Sequence, residues 1–360
     1  MSKHAELSSP AGVDVVIPSY HYGRFLRECV MSVLTQDIRQ VRVLIIDNAS
    51  SDESVEVARQ LAAEDRRVQV VARQHNLGPH ASYNEGIDWA SAKYFVMLCA
   101  DDLLAPRSLR RAVSIMERHP DVALAYGRAL WLRPEDPMPD LDADAGDTPW
   151  RIIPGRDLLE RFCRTAFNHF SGPVVVRTTA QKLAGHYRPE LPHTDDFEMW
   201  MRLACLGQAA EMDACQGISR VHGLNRSTFS SERGTANLAK HERERTLYNW
   251  HEEAAFKSFF ANEGRSLPEA ARLHRMARRS LAERAYWAAV TRLCRGQTDT
   301  SRVLLAFALR RRPRAAVLPP VSYLFRRDDA LRRMISVASD AIGRFCRPGM
   351  RGQMGLDPWG

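Results

Sequence analysis

Tyr94-Phe95-Val96-Met97-Leu98-Cys99-Ala100-Asp101-Asp102 joins six residues suited to a buried strand to two adjacent carboxylates. An apolar run without alternation is the pattern of a strand covered on both faces. Upstream of it, Val13–Pro18 reads as a first strand stopped by proline. Arg24–Thr35 follows, with Phe25, Cys29, Val33 and Leu34 near helical spacing. Val41–Ile46 is a second strand, closed by the turn-forming Asp47-Asn48-Ala49-Ser50-Ser51-Asp52. Helical spacing returns through Val55, Ala58, Leu61 and Ala62, then a third strand at Val68–Ala72 and a helix at Ala81–Ala90. This alternation predicts a mostly parallel α/β sheet flanked by helices. Asp101 and Asp102 then stand at the carboxyl end of a strand, where open α/β sheets bind ligands.

Downstream, the spacing predicts a helix at Leu109–Arg118 and a strand at Val122–Tyr126. Trp131–Trp150 is rich in Pro and Asp and reads as a surface loop. Pro173–Val176 is a strand and Phe197–Cys205 a helix. Beyond about residue 235, Ala, Arg, Glu and Leu recur at helical spacing over Leu238–Phe260, Leu267–Cys294, Thr300–Leu309 and Asp329–Phe345.

The 360 residues, 45% hydrophobic and 26% charged, suit a soluble globular chain of one large or two modest domains. No stretch reaches the ~18 apolar residues of a membrane span. Met1–Asp14 lacks the apolar run of a secretory signal, so a cytoplasmic location is expected. Seven scattered cysteines without a C-x-x-C pair argue against a disulfide framework or a structural zinc site.

The net charge of +8 is uneven: residues 265–360 hold 20 Arg, no Lys and 7 acids, a surplus of 13 that leaves −5 in front. Arg310–Arg314 and Arg326-Arg327 adjoin the apolar stretches Val303–Leu309 and Val317–Phe325. That pattern suits peripheral contact with an anionic membrane surface. It suits better a helical appendage packing on the catalytic domain with a solvated arginine face. No nucleic-acid-binding module is visible, so no nucleic acid partner is expected.

G-x-G-x-x-G after the first strand, the P-loop, G-x-S-x-G and H-E-x-x-H are all missing. A parallel sheet without a glycine-rich phosphate loop needs another counter-charge for a phosphate. A divalent cation held by carboxylates supplies one.

The ordered pieces Val16-Ile17-Pro18-Ser19-Tyr20, Ile45-Ile46-Asp47-Asn48-Ala49-Ser50-Ser51-Asp52, Asn76-Leu77-Gly78, Asn84-Glu85-Gly86-Ile87 and Phe95–Asp102 cover the first hundred residues. Together they resemble the family 2 glycosyltransferases of the GT-A fold, inverting enzymes of the bacterial polysaccharide and glycoconjugate type. The resemblance implies a GT-A nucleotide-diphospho-sugar transferase fold with an α-helical C-terminal extension. Its domains would be a flexible N-terminus at 1–12, a catalytic domain at 13–232 and a basic helical region at 233–360.

The resemblance also assigns roles. Asp47 matches the carboxylate that accepts the imide N–H of uracil or thymine, a single donor between two carbonyls; a turn carboxylate capping the next helix, as expected of Asp52, is the structural alternative. Pro18 and Tyr20 match the packing around the base, Arg73, Asn76 and Asn84 the nucleotide contacts or the loop beneath, and Ala100 with Asp101 further nucleotide-binding positions. Asp101 and Asp102 match the acidic motif that holds Mn2+ or Mg2+. The common pattern has an acid where this chain has Cys99, expected here to be the last buried strand residue. That departure puts the weight on Asp101, with Asp102 as its support.

His193-Thr194-Asp195-Asp196-Phe197-Glu198-Met199-Trp200-Met201-Arg202-Leu203 resembles the family's acceptor-side segment. Asp196 would be the general base, with Asp195 second to it; capping of the following helix is the structural alternative. Trp200 and Leu203 form a core stripe, and Arg202, off that stripe, is expected to be solvated. In Ile218–Ser227, His222 matches a further metal or diphosphate ligand and Arg220 a phosphate partner. His80, His169 and His186 receive no role.

The implied activity is transfer of a sugar from a UDP- or dTDP-sugar donor to a hydroxyl of a glycan, lipid-linked or protein-linked acceptor. The setting would be the cytoplasm, with peripheral contact at the inner face of the plasma membrane. Two rivals remain: a nucleotide-sugar-binding protein with weakened catalysis, and a sugar-phosphate nucleotidyltransferase of similar fold.

Overall fold

The computed structural model describes residues 12–140, 149–165, 170, 172–191, 193–222 and 238–326. The N-terminus up to residue 11, the middle of the loop expected at Trp131–Trp150, His169, Asn225–Ser227, Arg327 and the helix expected at Asp329–Phe345 lie outside the described residues. The chain divides into two compact units, one of Met1–Leu159 with Asn168–Ser230 and one of Glu160–Phe167 with Ser231–Gly360.

The first unit begins with the alternation β1 (Val13–Ser19), α1 (Gly23–Leu34), β2 (Val41–Asp47), α2 (Ser54–Glu64), β3 (Val68–Ala72), α3 (Pro79–Trp89) and β4 (Tyr94–Met97). The chain continues through β5 (Leu103–Leu104), α4 (Ser108–Arg118), β6 (Val122–Leu132), β7 (Trp150–Ile153), α5 (Gly155–Thr165), whose residues from Glu160 on belong to the second unit, β8 (Val174–Arg177), α6 (Thr178–Ala184), α7 (Asp195–Ala204) and β9 (Gln208–Arg220). The sheet order is β3-β2-β1-β4-β8-β6-β9-β5, with β7 on β9. β3, β2, β1 and β4 are parallel neighbours. Ser19 pairs with Asp47, so the carboxyl ends of β1 and β2 are level, and Val16 pairs with Met97 on the other side. The second half is mixed, with β8 antiparallel to both β4 and β6, and β9 parallel to β6.

The core explains the order. Leu26, Cys29, Val30 and Val33 lie at i, i+3, i+4 and i+7 of α1 and are fully buried with Val15, Ile17, Val43 and Ile45 of the sheet. Each such side chain gains about 1.5–3 kcal/mol from leaving water. On α3, Gly86 is the close-approach point: a Cβ there would stand 2.5 Å from Val16 Cγ1. Asp14, a charge in a buried strand, is satisfied by Arg42 at 2.6 Å and by the N–H groups of Ser91 and Ala92.

Three expectations change. β4 ends at Met97, and the chain turns back at once, with Asp102 N–H donating to Cys99 O at 3.0 Å. Cys99 is therefore exposed beyond the strand, not its last buried residue. β6 runs on to Leu132, because β9 pairs with it from Val122↔Gln208 to Leu132↔Arg220. The loop expected from Trp131 thus starts after Leu132, and Trp150 already belongs to β7.

The second unit holds α8 (Leu238–Ala261), α9 (Ala270–Cys294) and α10 (Thr298–Arg311). Several arginines expected on a solvated face point inward. Arg284 is buried against Asn249 and Glu252, and Arg311 pairs with Glu253. Arg279 and Arg312 share the fully buried Glu283. A buried carboxylate is tolerable only when paired, so these arginines are structural. No helix among the described residues is long and apolar enough to cross a membrane.

Candidate active site

The turn after β2 fixes Asp47. Its carboxylate, fully buried, accepts the Ser50 N–H at 2.9 Å and the Ser50 hydroxyl at 2.7 Å. Ser50 Oγ in turn accepts the His21 N–H at 2.9 Å, which ties the ends of β1 and β2 together. Pro18 is half-buried in β1, and Tyr20 is exposed, its ring 4.1 Å from that of His21. Asp52 does meet the helix expected after it. It accepts the N–H of Ser54, the first residue of α2, and that of Gly23, the first of α1. Burial pushes its carboxyl up, but the bonds from Ser54 and Gly23 outweigh this and leave it below the ordinary range.

Arg73 and Asn76 meet through Asn48. Arg73 donates to Asn48 Oδ1 at 3.1 Å and Ser82 Oγ at 3.0 Å, and pairs with Glu85. Asn48 Nδ2 donates to Asn76 Oδ1 at 2.7 Å. This network forms a platform beyond the ends of β2 and β3. Asn84 is used differently: its amide donates to Tyr187 O at 3.1 Å and accepts Tyr187 N–H at 2.8 Å.

After β4, Ala100 is fully buried and Asp101 nearly so. His222 Nε2 lies 3.1 Å from Asp101 Oδ2. The His222 ring sits 4.8 Å from Phe25 and 5.7 Å from Tyr22, so the start of α1 walls this end of the site. Asp102 accepts the Arg220 N–H at 3.1 Å and the Ser219 hydroxyl at 3.4 Å. Burial first and then the charge of Asp101 push its carboxyl up to about 8, against the pull of those bonds. Arg220 itself pairs with Glu28 and lies 5.1 Å over the Phe25 ring.

Cys99, Asp101 and Asp102 each offer a ligand atom, all within 4.8 Å of one another. His222 stands outside that trio, on Asp101. Burial and the charge of Asp101 both disfavour the ionised form of Asp102, and a cation held between these ligand atoms would offset that. The residues present therefore fit a divalent ion.

α7 carries the second acidic group. Asp195 and Asp196 are its first two residues, not caps in front of it, and the helix dipole favours negative charge there. Asp195 is buried with its Oδ2 3.0 Å from His80 Nε2. Asp196 is half-buried and accepts the Phe197 N–H. The Tyr187 hydroxyl is pushed well up by burial and by both aspartates. His80 is the partner that sequence reasoning missed. It follows Gly78-Pro79 at the start of α3, and nothing local in the sequence marks its contact with Asp195.

Trp200 and Leu203 are buried, as the core stripe requires. Arg202, expected in solvent, is buried as well. It pairs with the fully buried Glu198 at 2.9 Å and donates to His186 O. Arg188 holds the other oxygen of Glu198. A lone i,i+4 reading of Glu198 and Arg202 predicts a surface pair; the loop from α6 to α7 covers it instead.

With this geometry, residues 14–178 match the family model described as glycosyl transferase family 2. Residues 14–178 are a family 2 glycosyltransferase segment. It is 21% identical to an uncharacterized glycosyltransferase of Haemophilus influenzae over 66% of this chain and 73% of that one. To the uncharacterized glycosyltransferase YibD of Escherichia coli it is 30% identical over 41% of this chain and 40% of that one. The fold is GT-A. A mannosyltransferase from Pyrobaculum calidifontis, solved with GDP-Man and Mn2+, superposes with a TM-score of 0.54 at 18% identity, over 94% of this chain and 87% of that one. TarS 1-349 from S. aureus, solved with UDP-GlcNAc, gives 0.51 at 13% identity over 85% and 91%. The family match contains Asp47, Arg73, Asn76, Asn84, Asp101 and Asp102, and ends before Asp195, Asp196 and His222.

Proposed function

We propose that this glycosyltransferase moves a sugar from a UDP- or dTDP-sugar to a hydroxyl of a glycan, lipid-linked or protein-linked acceptor, inverting the anomeric centre with Mn2+ or Mg2+. The observation that carries the reading is the cluster just beyond β4, where Asp101 and Asp102 offer carboxylate oxygens within 4.8 Å of each other. Such a pair at the carboxyl edge of a parallel sheet calls for a cation. Asp101 and Asp102 would hold it, with His222 orienting Asp101. Bound there, it offsets the charge that builds on a departing diphosphate.

The chain's own residues do the rest. Asp47 accepts the imide N–H of a pyrimidine base, Pro18 and Tyr20 pack around that base, and the Asn48 platform with Arg73 and Asn76 supports the loop beneath it. Asn84 holds Tyr187 beside the α7 acids. Asp196 takes the proton of the acceptor hydroxyl as its oxygen bonds to the anomeric carbon and the sugar–diphosphate bond breaks on the opposite side. Asp195, set against His80, keeps α7 in register for that step. The complexes of the fold neighbours with GDP-Man and Mn2+ and with UDP-GlcNAc are in keeping with a nucleotide-sugar donor.

The catalytic domain would span 13–232 and the basic helical region 233–360, in a cytoplasmic enzyme resting peripherally on the inner face of the plasma membrane. Exposed Val317, Leu318 and Val321 near Arg314 support that contact. The test is a thermal-shift panel of UDP-, dTDP- and GDP-sugars with and without Mn2+. A pyrimidine nucleotide sugar should stabilise the protein only with the metal. If none does, and Asp101→Ala changes nothing, the reading fails.

A further inference from the structure

Cys99 is the residue at which this chain departs from the acidic pattern, and it does not retreat into the core. It stands exposed just beyond β4. Its carbonyl accepts the Asp102 N–H at 3.0 Å and the Cys29 thiol at 3.5 Å, so its backbone is fixed as part of the metal turn. From that anchored position it offers a ligand atom within 4.8 Å of those of Asp101 and Asp102. The donor set is therefore two carboxylate oxygens and one sulfur.

We infer that Cys99 is itself a ligand of the bound ion and sets its identity: the centre prefers Co2+ or Zn2+, ions that accept sulfur, over Mg2+. This rests on the metal-dependent reading above and refines it. Mg2+ demands near-octahedral oxygen coordination and gives up water reluctantly, so a sulfur in its sphere gains it little. Affinity of mixed oxygen and sulfur sites rises along the first-row series, and thiolate raises it further for the softer ions. On binding, the sulfur–metal bond replaces the S–H bond and the proton passes to solvent, with no change of oxidation state.

The experiment titrates Co2+ into the metal-stripped full chain and follows the near-ultraviolet sulfur-to-cobalt charge-transfer absorption, with competition by Mg2+. Wild type should develop the band to saturation. Cys99→Ser should abolish it and weaken Co2+ binding at least about tenfold, the scale of a lost contact at a metal site, while Mg2+ binding stays within about threefold. Cys99→Asp should lack the band and bind Mg2+ more tightly. Asp101→Ala should also lose the band, which separates this site from the other cysteines. Melting in EDTA checks that each variant is folded. Co2+ binding to wild type without the band, or a band that survives Cys99→Ser, overturns the role of Cys99 and leaves the carboxylate centre standing. If neither Co2+ nor Mn2+ binds wild type, the metal-dependent reading falls, and this inference with it.

Discussion

Asp102 is held up to about 8 where a free aspartate titrates near 3.8, because burial and Asp101 both disfavour its charge. The folded chain thus binds that proton more tightly than the unfolded chain does. The stability it contributes is whole below about pH 4 and is lost as pH rises to about 8. In EDTA, Asp102→Asn should keep what wild type loses, so its melting temperature relative to wild type should climb across that window. A constant gap between the two melting curves contradicts the assignment. Asp196 makes a kinetic prediction: Asp196→Asn should lower kcat by about 10²–10⁴ with little change in KM for the donor, as loss of a general base does. A loss below tenfold would move the role to Asp195. At this scale the sequence placed Asp47 at the end of β2 and Asp101 in the turn that follows β4. It was unreadable where two distant segments meet, as His80 and Asp195 do, because no local pattern encodes that contact.

The elements read most clearly where periodicity was clean. Strands β1 to β4 are apolar runs broken by turn residues, and their positions follow within a residue or two. β9 escaped because Ala209, Ala210, Ala214 and Gly217 offer neither β-branching nor alternation; its partner β6 imposes the extended form. Helix α5 was missed although Leu158, Leu159, Phe162 and Cys163 recur at helical spacing and are buried. Arg202 on α7 shows the limit of helical-wheel reasoning, since the covering chain comes from α6 and the loop after it. Arg202→Ala leaves the buried Glu198 with Arg188 alone and should cost about 3 kcal/mol in chemical denaturation. A cost below about 1 kcal/mol, the range of exposed pairs, would mean the pair is solvated in solution.

Across the whole molecule, the charge asymmetry has two components. Part of the C-terminal arginine surplus is consumed by Glu252 and Glu253, acids that lie before residue 265. The remainder, including Arg310 and Arg314 beside exposed Val317 and Leu318, is what a membrane would meet. Arg310→Glu with Arg314→Glu should cut binding to phosphatidylserine vesicles by at least tenfold, at about 1 kcal/mol for each basic residue lost near the surface, and leave neutral vesicles unaffected. Equal binding by variant and wild type would assign these arginines to the solvated face.

The central claim, a nucleotide sugar held through a cation on Asp101, is tested most directly by calorimetric titration of UDP into the full chain. Binding should appear with Mn2+, vanish in EDTA and vanish in Asp101→Ala with Mn2+ restored. UDP binding of equal strength with and without metal, unchanged by Asp101→Ala, would contradict the account.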